Sequence, residues 1–366
     1  MSTDALITLQ HWVLVAGFCV CLAFGYVIQR SRFCTMGALN DWFNLDDTQR
    51  LQMWALSLGL AMLGFQSLSS LGWIDPLQTI YATGPVLWLS AVVGGVLFGL
   101  GMVFASGCGS KTLARVGGGS LKALVVMLVM GLSALATMRG ITAVLRHHTV
   151  DTQSWTVSAG NTWTAGLEHM WSGAGPWLAV AMAMSLIVWA LRRGGGLGLD
   201  SVLGGFGVAA CVTAMWWVSG HLGFVAEHPD TLESVYLATH SGRMESLSFS
   251  APMALHLDWL LYFSDANNTL NLSVVSVWGV ILGSWLYARH SGTFQWEGFR
   301  NTQDTALHMG GGVLMGVGGV TAMGCTVGHG LSGLSTLSVI STLAVAGIVG
   351  GAWLGFRVQL WLLERD

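Results

Sequence analysis

Charge is what this 366-residue chain has least of. Only 9% of its residues are Asp, Glu, Lys or Arg, and lysine occurs twice, at Lys111 and Lys122. A soluble domain carries about 25% charged residues, so too few are present to build a water-facing surface, and the composition points to an integral membrane protein. The net charge of −3 comes with no basic run, which excludes nucleic acid as a partner. The six cysteines form no CxxC, and no Cys/His spacing suits zinc. No metal or cofactor is therefore expected. Paired carboxylates and a Ser-His-Asp set are missing too, and Gly117-Gly118-Gly119 is not followed by the GK[ST] of a phosphate loop. Asp4 is the only charge before the first apolar stretch. A cleavable leader needs a positive start, so that stretch is read as a first span. No polar stretch is long enough for a soluble domain, and 1–366 is read as a single membrane domain.

What is present is apolar and small. Hydrophobic residues make up 53% of the chain, with 50 glycines and 18 tryptophans. Glycine lets membrane helices approach closely and tryptophan favours the interfaces. A span needs about 20 apolar residues. Nine candidates follow: 8–28, 51–71, 85–104, 121–138, 176–191, 201–219, 272–288, 306–323 and 335–360. Arg30, Arg32, Arg50, Lys111, Arg115, Lys122, Arg192, Arg193, Arg289 and Arg300 fall on one side of this layout. The stretch 72–84 on the other side has no Lys or Arg, and Arg139, Arg146 and Arg243 are the exceptions there. By the positive-inside rule the N-terminus is outside and the C-terminus, with Arg365, inside.

A fifteen-residue motif occurs twice. GGVLFGLGMVFASGC runs from Gly94 to Cys108 and GGVLMGVGGVTAMGC from Gly311 to Cys325, with ten of fifteen positions identical and no gaps. The copies fall in the third and eighth spans, which run in opposite directions. The expected fold is all-α, with about nine transmembrane helices, re-entrant short helices and an inverted repeat of four spans, one linking span and four spans. The first half is 1–138, an interfacial segment and linking span occupy 139–200, and the second half is 201–366. Trp155, Trp163 and Trp171 recur every eight residues, as in one surface helix. The stretch 220–270 is acidic, with Glu227, Asp230, Glu233, Glu245, Asp258 and Asp265, and its apolar run 251–263 is too short to span.

After each copy the helix pattern fails, at Gly107-Cys108-Gly109 and at Gly324-Cys325. Backbone groups at such a break need protein or a polar cavity around them. Each copy reads as a helix, a break at cysteine and a new helix start, and helix starts favour anions. If both breaks turn inward from opposite faces, two electropositive tips meet near the midplane. Cys34 in QRSRFCTMGALNDWF is a third such cysteine, and Ser219–Gly223 is its nearest counterpart in the second half. Cys19, Cys21 and Cys211 lie within spans and read as packing residues. A thiol is soft and a weak donor, suited to a sulfur-containing anion held briefly and released, since conduction needs several weak sites. Alternatively a thiolate could attack and form a persulfide, which needs a nearby base or cation. Lys111 and His329 are the neighbours in sequence. Lys111 also reads as a solvated loop residue and His329 as a hydrogen-bonded packing residue. Arg32 either attracts anions to the inner mouth or sets topology.

The stretches QRSRFC at 29–34, GCGSKTLARVGGGS at 107–120 and GGVLMGVGGVTAMGCTVGHGLSGLS at 311–335 resemble the YeeE/YedE family of bacterial inner-membrane proteins. The resemblance runs in order from Gln29 to Ser335. It implies nine spans with short re-entrant helices and a narrow waist, and an activity in moving sulfur compounds, thiosulfate first. It also implies Cys34, Cys108 and Cys325 as the pathway thiols, passing thiosulfate through transient S–H···S contacts; the topology expected above orders them Cys325, Cys108, Cys34. A small cytosolic sulfur-carrier protein is the implied partner. The alternatives are transport of a related selenium or sulfur species, a membrane sulfurtransferase, and a non-transporting scaffold.

Overall fold

The computed structural model describes residues 3–155, 160–192, 198–229, 232–265 and 268–364; Arg193, Asp230 and Arg365 lie outside them. Fourteen α-helices account for most of the described chain: α1 (Thr3–Ser31), α2 (Thr35–Leu45), α3 (Gln49–Ser70), α4 (Trp88–Phe104), α5 (Gly109–Gly117), α6 (Leu121–Arg139), α7 (Ile141–His148), α8 (Trp163–Met170), α9 (Ala174–Arg192), α10 (Leu199–Trp217), α11 (Ser250–Leu261), α12 (Leu272–His290), α13 (Thr302–Thr321) and α14 (Val339–Leu363). A further short helix covers 326–335, and its middle, Gly328–Gly333, is π-helical. The described β-structure is one two-residue ribbon, Phe224–Val225 against Val235–Tyr236. Each of the nine expected spans has a helix, and side-chain caps start several of them: Ser120 accepts from the Ala123 N–H, Asn271 from Val274 and Asn301 from Asp304.

Eight helical stretches are long and apolar enough to cross a membrane. The ninth, α13, begins with Asp304 and His308 and is rich in glycine. It packs between α4 and α6, so protein rather than lipid surrounds much of it.

The two motif copies are antiparallel. A methyl group added to Gly94 would lie 2.7 Å from the Gly318 carbonyl oxygen, and one on Gly101 would lie 2.7 Å from that of Gly311. From the other side, a methyl added to Gly318 would lie 2.6 Å from the Gly94 oxygen and one on Gly311 2.6 Å from that of Gly101. Advancing Gly94 and Gly318 to their repeat partners turns the first contact into the second, which is what a two-fold axis between α4 and α13 requires. Much of the remaining packing obeys the same exchange. α1 packs on α12 as α10 packs on α3, α4 on α14 as α13 on α6, α5 on α12 as Gly328–Gly333 on α3, and α2 on α14 as α11 on α6. Helix α9 rests on α3 and α8 and links the halves.

Two expectations are corrected. The tryptophans spaced by eight do not share one helix. Trp155 pairs with Val86 as an isolated bridge and stacks on Trp88 at 5.4 Å, while Trp163 starts α8 and donates to Thr342 at 3.1 Å. Trp171 caps the end of α8 and is exposed, so the regular spacing is not one helical face. The second-half counterpart of Cys34 is not Ser219–Gly223, which continues α10 as a π-turn. Because α2 exchanges with α11, the position equivalent to Cys34, the residue capping α2, is Phe249 at the start of α11.

The described parts of segments 72–87, 139–173 and 223–249 gather at one end of the bundle, joined by bridges Thr79–Met244 and Val86–Trp155, while Thr162 bridges to Ser338 at the start of α14. The opposite, basic end is stapled by Arg115–Glu297 at 3.1 Å, Lys122–Glu297 at 3.4 Å and Lys122–Asp304 at 3.0 Å.

Candidate functional site

Each motif copy ends its helix in the same way. At the end of α4, Gly107 N–H bonds the Met102 carbonyl and Ser106 N–H that of Val103. At the end of α13, Gly324 bonds Gly319 and Met323 bonds Val320. These are paired Schellman closures. Ser106 (φ 55°) and Met323 (φ 67°) occupy the left-handed position that usually holds glycine. Two residues later the cysteine restarts the helix, as the Cys108 carbonyl accepts from Thr112 N–H and that of Cys325 from His329 N–H, both at 2.8 Å. By length and composition α4 and α5 lie in one apolar stretch from Trp88 to Gly117, and α1 and α2 in another, each broken at its cysteine.

Cys34 and Cys108 are the N-caps of α2 and α5. Together with the starts of α11 and of helix 326–335, four helix N-termini converge. The Cys34 thiol contacts that of Cys108, and the Thr326 hydroxyl approaches Cys108. Cys34 Sγ accepts from Gly37 N–H at 3.4 Å, and Cys108 Sγ lies 3.4 Å from the Ser110 hydroxyl. Cys325 Sγ accepts from Phe249 N–H at 3.3 Å and Gly328 N–H at 3.4 Å, with the Ser248 hydroxyl at 3.9 Å. Phe249 Cβ would touch a methyl on Gly109 at 3.5 Å, so the α5 and α11 starts adjoin. Cys34, Cys108 and Cys325 are buried.

Three hydroxyls at this junction, Thr35, Ser250 and Thr326, have no hydrogen-bond partner within the protein. Each belongs to the residue that opens one of the converging helices. A buried hydroxyl left unpaired costs about 1–3 kcal/mol, so their position at a site built around helix starts suits an anionic ligand. An N-terminus carries about half an elementary charge, and four together provide about two. That balances a dianion.

The remaining sequence candidates fall around this centre. Lys111 is half-buried, lies against Gly107 and interacts electrostatically with Cys34 and Cys108. His329 is fully buried; its Nε2 donates to the Ala322 carbonyl at 2.6 Å, leaving Nδ1 to accept from Ser341 at 3.0 Å. A methyl on Gly324 would stand 2.7 Å from the His329 ring, so that glycine makes room for this latch. Tyr81, buried, donates to the Gly328 carbonyl at 2.7 Å. Arg32 is exposed on a left-handed turn before Cys34. Arg50, which pairs with Asp41 at 3.3 Å, lies against Gly37 in the first turn of α2, and the Gly37 N–H bonds the Cys34 thiol.

Sequence reasoning missed Arg50, Thr35, Ser248, Phe249, Ser250 and Thr326. The signal for the second-half members was the run Ser246-Leu-Ser-Phe-Ser-Ala-Pro252: polar residues, then a proline in the first turn of an apolar helix, where proline loses no helical hydrogen bond.

A family model described as sulphur transport matches residues 30–354. The chain belongs to that family. It is similar to the thiosulfate transporter TsuA of Spirochaeta thermophila, 31% identical over 362 residues, covering 95% of this chain and 98% of the relative. It is also similar to the thiosulfate transporter TsuA of Escherichia coli, 26% identical over 365 residues and covering 93% of each. A shorter likeness, 31% over 94 residues, links it to the probable transporter YedE of the same organism and covers 26% of this chain. Family, span content and relatives agree on a multi-pass membrane transporter handling a sulfur anion.

Proposed function

We propose that the protein imports thiosulfate across the bacterial inner membrane, with the N-terminus outside and the C-terminus in the cytoplasm. The anion enters where the long connections gather, meets Cys325, then Cys108 and then Cys34, and leaves past Lys111 and Arg50, with Arg32 at the inner mouth. Thiols hold the terminal sulfur through transient S–H···S contacts, and no covalent bond is made. The unpaired hydroxyls and helix N-termini hold the oxygens. Gly107, Gly109 and Gly324 keep the junction open to the ligand, and His329 anchors the break beside Cys325. The halves 1–138 and 201–366, joined by 139–200, are the two repeat units, and a small cytosolic sulfur-carrier protein is the acceptor.

The observation that carries this reading is the convergence of four helix N-termini with three thiols and three unpaired hydroxyls. Replacing Cys34, Cys108 and Cys325 singly by alanine and measuring radiolabelled thiosulfate uptake tests it. Uptake is expected to fall at least about tenfold in each, a loss of about 1.4 kcal/mol or more, while alanine at Cys19, Cys21 or Cys211 leaves it intact. Unchanged uptake in all three pathway variants would remove the thiols from the mechanism. The Lys111 ammonium near two thiols also makes a sulfurtransferase worth separating: a stable gain of one sulfur atom on a native cysteine after thiosulfate exposure would favour the enzyme.

A further inference from the structure

A cavity of about 420 Å³ opens at the end where the long connections gather and reaches inward to Ser248 and to Gly319–Met323, next to the Cys325 break. Glu245 lines it. Three residues farther along the same strand-like segment is Ser248, and after it Phe249, whose N–H bonds Cys325. Glu245 and Ser248 therefore line one cavity, and the segment that carries them leads directly to the Cys325 thiol.

The carboxyl is held in place. Its oxygens accept from His240 N–H at 3.2 Å and from the Ser241 hydroxyl at 3.4 Å. The backbone carbonyl of the same residue accepts from Ser219, which ties the segment to the π-turn after α10. The surrounding charges are spent on one another. Arg146 pairs with Asp151 at 2.9 Å in the cavity wall, and Arg139, at the end of α6, pairs with Asp258 of α11 at 3.2 Å. Tyr81 faces Glu245 from the 72–87 segment and gives its hydroxyl to Gly328. Burial, aided by Arg139 and opposed by Asp258, holds His240 below the usual histidine range, so it is neutral at neutral pH. Arg243 is exposed. Helices α10 and α12 bring only Met215, Leu272, Ser273 and Ser276 to the wall. Among the described residues no cation forms an ion pair with Glu245, and an ionised carboxylate there would repel an incoming anion.

We propose that Glu245 is a proton-binding site on the anion's entry route, and that the dianion passes to Cys325 only when this carboxyl is neutral. The inference rests on the import reading above. Burial raises the Glu245 pKa to about 7, against the two hydrogen bonds it accepts. The sign follows directly. Below about pH 7 the carboxyl is neutral and the cavity admits an anion, and above it the negative charge returns and entry declines. Thiosulfate remains a dianion across this range, so the substrate's own charge does not change.

The test uses the purified full-length protein in liposomes, with equal pH inside and out so that no proton gradient adds to the driving force. Initial uptake of radiolabelled thiosulfate is read between about pH 6 and pH 8. A group titrating near pH 7 predicts a rise of roughly tenfold towards the acid end in the wild type. Glu245→Gln keeps an acceptor for His240 and stays neutral, so its uptake is expected to be flat across this range and at least equal to the wild-type rate at pH 6. Glu245→Asp should retain a pH-dependent profile. A Gln variant whose profile parallels the wild type overturns the proposal, and so does one that is folded in the membrane but transports nothing at any pH. Wild-type liposomes that take up no thiosulfate at any pH overturn the import reading and, with it, this gate.

Discussion

His329 has both ring nitrogens committed, one to the Ala322 carbonyl and one to Ser341. It therefore serves the break beside Cys325 as a two-ended latch. Alanine at this position leaves a buried carbonyl without its donor, which costs about 1–3 kcal/mol. The expected outcome is a lower melting temperature in detergent, with uptake falling in line with the amount of folded protein. Normal stability with abolished uptake would give His329 a direct part in conduction. The unpaired hydroxyls make the opposite prediction. Thr35→Val, Ser250→Ala and Thr326→Val remove groups that have no protein partner, so the fold should be untouched or slightly firmer. If the hydroxyls bind the anion, each substitution loses a hydrogen bond to a charged group, about 1.5–3 kcal/mol, and the half-saturation concentration rises about tenfold or more. Equal half-saturation in all three variants would exclude them from the ligand's coordination.

The paired helix closures carry a stability prediction of their own. Ser106 and Met323 hold left-handed backbone without being glycine, a conformation that costs an L-residue about 1–2 kcal/mol. Glycine at either position should raise the melting temperature by a few degrees, less the entropy glycine adds to the unfolded chain; a drop would mean that the side chain packs usefully. The nine long helices were legible in the sequence because apolar runs of span length have few alternatives. The cysteine breaks were legible because two copies of one motif failed at the same place. The fourth tip was not. Two residues separate Ser31, the end of α1, from Cys34, whereas more than twenty separate the π-turn at Leu222 from α11, so a search by position stopped at Ser219–Gly223. The tryptophan spacing misled for a related reason: Trp155 is held by Trp88 and Val86, contacts that no local periodicity encodes.

Assembly depends on the seam between α4 and α13. Gly94, Gly101, Gly311 and Gly318 bring the two backbones within carbonyl contact. Alanine at Gly94 or Gly101 must push the helices apart, and overpacking of this kind costs about 1–3 kcal/mol. Because the tips are carried on these helices, uptake is expected to fall together with thermal stability. Normal uptake and melting in both variants would show that the seam tolerates separation. The charged staple at the basic end is a second tie between halves. Lys122 is 6% exposed at its side chain and bonds both Glu297 and Asp304. Lys122→Met removes one partner of each, but Arg115 still pairs with Glu297 and His308 with Asp304, so the loss should be about 1 kcal/mol, read as a small drop in melting temperature. Helix α9 packs chiefly on α3 and α8, yet the arrangement depends on its parity. Four crossings return a chain to the face it started from, and a duplicate begun there would point the same way as the original. One additional crossing turns the copy upside down. A chain with α9 deleted would insert its second half the wrong way up, and Cys325 would never come to face Cys108.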